Sequence, residues 1–190
     1  MTRIFLPFIR GIVLLASTLG FALMTAPAIA KDKGAYAGGS IGLTTIDICG
    51  QLTGATTCDD EDTGFKLFGG YKFNRNLAVE GGFVDFGEIS ASNGPATVTV
   101  SSDALFAAAV GILPVSSKFS VFGKLGFFMW DLTGTGTGIG TISDDGTDLL
   151  IGLGLGFDIT ERLTIRAEWE DYDGGGDGVT FLSAGLQYNF

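Results

Sequence analysis

The chain has 190 residues, 46% of them hydrophobic, and carries 11 Lys and Arg against 21 Asp and Glu, a net charge of −10. That balance argues against nucleic acid as a partner, because the phosphates would repel it. There is no histidine, so the commonest acid–base side chain is missing from any catalytic scheme.

Residues 1–30 read as an export signal rather than as part of a fold. Arg3 and Arg10 give a basic start, Gly11 to Met24 is an apolar run of 14 residues, and Ala28-Ile29-Ala30 is a small-x-small cleavage site ahead of Lys31. The run is shorter than the roughly 20 residues a spanning helix needs. Cleavage after Ala30 leaves one domain, 31–190, with 9 basic and 21 acidic residues, a net charge of −12. That domain has no long apolar run of the kind a spanning helix needs, yet it is rich in Phe and Gly. An exported apolar chain without a spanning helix points to a closed barrel, which satisfies its backbone hydrogen bonds internally. Cys49 and Cys58 lie in a stretch rich in Gly, Thr and Asp. In an exported chain such a pair reads as a disulfide, here within the first long loop.

Eight alternating segments follow in order: 35–44, 64–73, 77–87, 99–113, 118–131, 147–159, 163–172 and 179–190. The gaps 74–76, 114–117 and 160–162 are short, whereas 45–63, 88–98, 132–146 and 173–178 are longer and rich in Gly, Asp, Thr and Ser. Short and long gaps alternate, as in an up-and-down antiparallel barrel with tight turns at one end and loops at the other. A soluble barrel would place its apolar residues inside, and the charges decide against it. In 163–172, Leu163, Ile165, Ala167 and Trp169 share one face, while Thr164, Arg166, Glu168, Glu170 and Tyr172 share the other. In 149–159, one face is Leu149, Ile151, Leu153, Leu155, Phe157 and Ile159, and the other is largely glycine. Lipid outside and a polar lumen inside fit this split. The expected fold is therefore all-β, an eight-stranded transmembrane barrel.

The same parity points Lys66, Lys72, Glu80, Lys124, Arg166, Glu168 and Glu170 inward. Eight strands leave an interior just wide enough for side chains to fill, so these groups are expected to close the lumen as ion pairs. With Thr160-Glu161-Arg162 as a turn, Gly156 faces Arg166, Gly154 faces Glu168 and Gly152 faces Glu170. Gly70 falls beside Glu80, and each glycine leaves room for a long charged side chain to lie over bare backbone. Tyr71, Phe73, Phe157, Tyr188 and Phe190 are expected to face out near the tight turns, and Phe83, Phe127 and Trp169 nearer the loops, as two interfacial belts.

The segments FKLFGGYKFNRNLAVEGGFVDFG (65–87), FSVFGKLGFFMW (119–130) and IGLGLGFDITERLTIRAEWEDY (151–172) resemble the eight-stranded OmpA-type transmembrane domain and its opacity-protein relatives. The resemblance implies the outer membrane of a Gram-negative bacterium and a monomer among outer-membrane lipids. It further implies that the terminal strand, with Tyr188 and Phe190, is an insertion signal for the barrel assembly machinery. Glu80 and Arg166 match a glutamate and an arginine of the family's internal salt-bridge gate. The matching lysine of strand four falls at Ala109 and the matching glutamate of strand six at Gly156. The peptidoglycan-binding domain of full-length OmpA proteins is not expected here.

Acidic clusters, Asp59-Asp60-Glu61-Asp62, Asp144-Asp145, and Asp171 with Asp173 and Asp177, lie in or beside the long loops without a complete calcium-loop spacing. They are expected to form a solvated, cation-screened surface rather than a metal site. No cofactor is implied. Outer-membrane barrel enzymes generally use a histidine, so the expected role is non-enzymatic: surface-exposed, structural or adhesin-like, with a host or cell-surface ligand at the long loops. A narrow low-conductance pore is the alternative, and a lipid-modifying enzyme a distant one.

Overall fold

A computed structural model describes residues 33–46, 57–58, 61–93, 96–136, 140–173 and 178–190. The expected export signal, Cys49 and the side chain of Cys58 lie outside the described residues. Eight long strands form the wall: β1 Gly34–Ile46, β2 Glu61–Asn74, β3 Leu77–Asn93, β4 Ala96–Pro114, β5 Phe119–Gly136, β6 Gly140–Asp158, β7 Leu163–Asp173 and β8 Val179–Asn189. A two-residue strand, Thr57–Cys58, pairs with β3 at Ser92 and Ala91. Each long strand is antiparallel to its sequence neighbours, and β8 pairs with β1 to close the wall. No strand of the wall is left as an edge, the condition a lipid-embedded sheet must meet.

The register fixes the barrel's shape. A walk across paired residues runs Tyr36, Gly70, Glu80, Ala108, Gly126, Leu150, Tyr172, Val179 and returns to β1 at Ile46. The return falls ten residues beyond the start. With a strand rise of about 3.3 Å and a spacing of about 4.8 Å, this shear tilts eight strands by about 40°.

Alternation then sorts the side chains. Leu67, Leu105, Leu125, Phe127, Leu153, Trp169 and Leu182 stand exposed on the outside, whereas Lys66, Phe106, Lys124, Arg166 and Glu170 are buried inside. The tight turns use one local device. Asn74 Oδ1 accepts the Asn76 N–H at 2.8 Å, Ser116 Oγ accepts the Phe119 N–H at 3.1 Å, and Thr160 Oγ1 accepts the Leu163 N–H at 3.0 Å. Each short polar side chain caps a turn that would otherwise leave a donor unsatisfied.

Two sequence expectations need correction. Segments 88–98 and 132–146 are not mainly loop: β3 and β4 pair out to Asn93 and Ala96, and β5 and β6 out to Gly136 and Gly140. Thr, Val and Ile suit extended backbone, and pairing beyond the lipid band needs no apolar outer face. Gly87 permits the extension: at φ +84° it sits in a bulge between Asp85 and Glu88, where a Cβ would strike the Asp62 carboxylate. The second correction concerns the lumen glycines. The pairs Gly152–Glu170, Gly154–Glu168, Gly156–Arg166 and Gly70–Glu80 are in register, and Glu170 lies over Gly152 as expected, but aromatic rings take the space over Gly70 and Gly154. Tyr36 lies over Gly70, Phe68 over Gly38, Phe106 over Gly82 and Phe122 over Gly154, each ring on the residue directly opposite on the neighbouring strand.

Placing a branched side chain on such a glycine should therefore displace a ring. Gly154→Val is expected to lower the unfolding midpoint of the refolded barrel by an overpacking penalty of about 1–3 kcal/mol. Gly111→Val, where a Cβ meets nothing within 4 Å on the outer wall, should leave it nearly unchanged. Equal effects in a denaturant titration would mean that the Phe122 ring does not need the bare backbone.

Candidate functional site

The inward face of β7 reads the lumen from the tight-turn end to the loop end: Thr164, Arg166, Glu168, Glu170, Tyr172. Lys66 from β2, Glu80 from β3 and Lys124 from β5 reach the middle of this series. Lys66 pairs with Glu168 at 3.0 Å and with Glu170. Lys124 pairs with Glu80, with Glu168, and with Glu170 at 2.9 Å. Arg166 pairs with Glu80 at 2.7 Å and with Glu168 at 3.0 Å. Three cations and three carboxylates thus form one continuous cluster with no net charge. Lys66 and Glu170 are 0% exposed, and such burial is tolerable only when each charge has opposite partners.

Rings wrap the cluster. The Arg166 guanidinium lies 4.5 Å from the Phe68 ring and 4.5 Å from the Phe122 ring. Lys66 and Lys124 lie within 6.0 Å of the Phe106 ring. These contacts add cation–π attraction where solvent is excluded. Tyr36 Oη donates to Glu80 at 3.0 Å, and Arg166 Nη1 donates to Gln187 Oε1 at 2.9 Å. Sequence parity places Tyr36, Phe68, Phe122 and Gln187 on the inner face, and the step from Lys66 to Phe68 and from Phe122 to Lys124 was a legible signal for ring-and-charge packing. Toward the loops the lumen turns apolar: Tyr172 meets Phe86 at 4.9 Å and Phe128 at 5.0 Å between ring centres, with Phe181, Leu150 and Val84 buried beside them.

Lys72 does not join the cluster. It sits at the tight-turn mouth, donates to Asn189 Oδ1 at 2.9 Å and lies 5.7 Å from the Tyr36 ring. Ala109 is on the outer wall, and Gly156 is buried at the Arg166 level. The cationic and acidic places of the implied gate are taken instead by Lys66 and Lys124, and by Glu168 and Glu170. Phe190 faces out beside Tyr188, their rings 5.2 Å apart, and its N–H donates to Ala35 O at 3.0 Å.

Charge also divides the two ends. The outer apolar band stops on β3, β4 and β5 at Asp85, Asp103 and Asp131, and these pair across neighbouring strands with one another and then with Asp145 on β6. In sequence, segments 45–62, 85–103, 131–148 and 171–180, which join the strands at this end, hold fifteen Asp and Glu and not one Lys or Arg. Among the described residues no group of three acids is placed to hold a metal ion. The tight-turn end carries Lys33, Arg75, Lys118 and Arg162, all exposed.

A family model described as "Outer membrane protein beta-barrel domain" matches residues 13–190. The chain belongs to the outer membrane protein beta-barrel family. Outer membrane protein A of Klebsiella aerogenes is 25% identical over 95% of this chain. The chain spans about half the length of the curated relatives it matches, 55% of that one. Among solved structures, the N-terminal β-barrel domain of Pseudomonas aeruginosa OprF aligns with a TM-score of 0.61 at 12% identity, covering 84% of this chain and 99% of that one. The Yersinia pestis attachment invasion locus protein Ail aligns at 0.56 and 22% identity, covering 83% and 99%, and a structure of Ail in complex with the heparin analogue sucrose octasulfate aligns similarly. These likenesses show the fold. Membership places the chain in the outer membrane of a Gram-negative bacterium, with tight turns toward the periplasm and loops outside.

Removing one member of the lumen cluster should be far more damaging than removing the mouth lysine. Arg166→Ala leaves Glu80 and Glu168 short of a partner, a loss typically of about 3–5 kcal/mol. Lys72→Ala is expected to change stability by less than about 1 kcal/mol, as for a partly exposed pair. Equilibrium unfolding of the two refolded variants separates these outcomes, and equal losses would contradict the division.

Proposed function

We propose that this outer-membrane barrel is a non-enzymatic surface protein with a closed lumen, structural in the wall and interacting through its outer end. The observation that carries the reading is the electroneutral cluster of Lys66, Lys124, Arg166, Glu80, Glu168 and Glu170, followed on the loop side by the Phe86–Phe128–Tyr172–Phe181 layer. An ion crossing the lumen would have to separate paired charges and then pass a ring-packed apolar section. Planar-bilayer recording of the refolded mature protein tests this: no steady single-channel current is expected. A reproducible current that vanishes on Phe128→Trp would instead support the narrow-pore reading, which the cavity at the tight-turn mouth favours.

The outer end is acidic throughout, so its ligands are cationic or neutral rather than sulfated or phosphorylated polymers. Ail has been captured with a heparin analogue; segments 45–62, 85–103, 131–148 and 171–180 of this chain contain no Lys or Arg to bind one. Heparin-affinity chromatography of the folded protein at low salt should show no retention of the wild type. Retention abolished by moderate salt would overturn the charge argument.

Phe190 is proposed as an assembly determinant. As one outward ring at the tight-turn edge it contributes about 1–3 kcal/mol of burial. Its deletion is expected to lower outer-membrane yield in cells while detergent refolding stays near normal. Equal impairment in both settings would make it a structural residue only.

A further inference from the structure

The tight-turn end of the lumen is not packed shut. A cavity of about 290 Å³ opens there and reaches inward as far as Arg166. Besides Arg166, whose charge Glu80 and Glu168 already balance, three cationic side chains line it, Lys72, Arg75 and Lys118, against two carboxylates, Asp158 and Glu161. Asp158 already accepts the Thr164 hydroxyl at 2.8 Å. The excess is therefore positive at this end of a protein whose overall charge is strongly negative.

Arg166 supplies the second observation. Its Nη1 donates to Glu80 and Gln187, and its Nε lies 3.0 Å from Glu168 Oε1 as an ion pair outside hydrogen-bond geometry. Its Nη2 is buried and, among the described residues, has no hydrogen-bond partner. A buried guanidinium nitrogen left without an acceptor is disfavoured, and here it belongs to a residue on the cavity's wall. The hydroxyls of Ser120 and Thr164 and the amides of Gln187 and Asn189 line the same space. The donors come from β2, β5, β7, β8 and two different turns, so they surround a centre rather than face it from one side.

We propose that this cavity is a binding site for a phosphate group, taken at the periplasmic mouth either from a soluble phosphate compound or from a phospholipid headgroup. Arg166 is the donor at the floor, and Arg75 and Lys118 close over the anion from the turns. A tetrahedral oxyanion suits donors distributed in three dimensions, and arginine is well matched to phosphate oxygens.

Amide NMR of the full barrel, refolded in a phosphate-free maltoside detergent, tests this. Inorganic phosphate is titrated at constant ionic strength against chloride. Saturable shifts are expected at Thr164, Gln187 and Asn189 and none at Asp103 or Asp131. Arg75 and Lys118 lie in exposed turns, so Arg75→Ala/Lys118→Ala should fold, and it should weaken the apparent affinity by about tenfold or more, as expected for lost charge-assisted contacts. A second arm places the protein in nanodiscs of zwitterionic lipid with or without phosphatidylglycerol. Shifts of the same residues on adding that lipid, lost in the double variant, identify a headgroup as the source. Shifts with soluble phosphate alone identify a free ligand. Linear, non-saturating shifts, shifts reproduced by chloride, or an affinity untouched by the double substitution would overturn the site.

Discussion

Charges confined in a narrow lumen must cancel among themselves, and this constraint organises the barrel. Eight strands enclose only enough space for side chains, and the lipid outside offers no counter-charge. Lys66, Lys124 and Arg166 therefore meet Glu80, Glu168 and Glu170 in one cluster that draws on four strands, β2, β3, β5 and β7. Strands far apart in the chain are tied across the lumen by the requirement that every ion face opposite partners, which complements the wall's own ladder of hydrogen bonds.

The rings make that cluster geometrically possible. A lumen of long charged side chains alone would leave gaps over Gly38, Gly70, Gly82 and Gly154. Instead Tyr36, Phe68, Phe106 and Phe122 each lie over a glycine of the adjacent strand, and three of these rings flank the cations. Bare backbone on one strand thus sets the ring on the next, and the rings set where Arg166 and the lysines sit. Past Glu170 the same packing continues without charge, as the layer around Tyr172.

Much of this was legible in the sequence, for a physical reason. Alternation with period two fixes which side of the wall a residue faces, so the inward set and the apolar band could be read from Leu163–Tyr172 and Leu149–Ile159 directly, and the alternation of gap lengths gave the topology. What period two does not report is depth along the axis or contact across the lumen. Lys72 shares the inward face yet lies at the mouth, two residues before Asn74, and which charges of the other strands reach its level depends on shear summed around the closed wall. Ring-over-glycine pairing is not legible in the sequence, because neither position stands out until its partner strand is known. The extensions of β3 to β6 were missed because outside the lipid band a polar strand and a polar loop have similar composition.

The two ends of the barrel are chemically opposite. Among the described residues, the loop end outside the lipid band has no basic residue, and the tight-turn end gathers four exposed ones. Between them the neutral cluster separates an acidic outer surface from a basic inner mouth. The central claim, that mutual neutralisation holds the lumen, is tested most directly by a double-mutant cycle on Lys124 and Glu80, using Lys124→Met, Glu80→Gln and both together, with unfolding free energies measured on the refolded barrel. Because the double substitution restores neutrality, a coupling of about 1 kcal/mol or more is expected, with the double variant more stable than the two single losses imply. Additivity within about 0.5 kcal/mol would show that charge cancellation is not what stabilises the lumen.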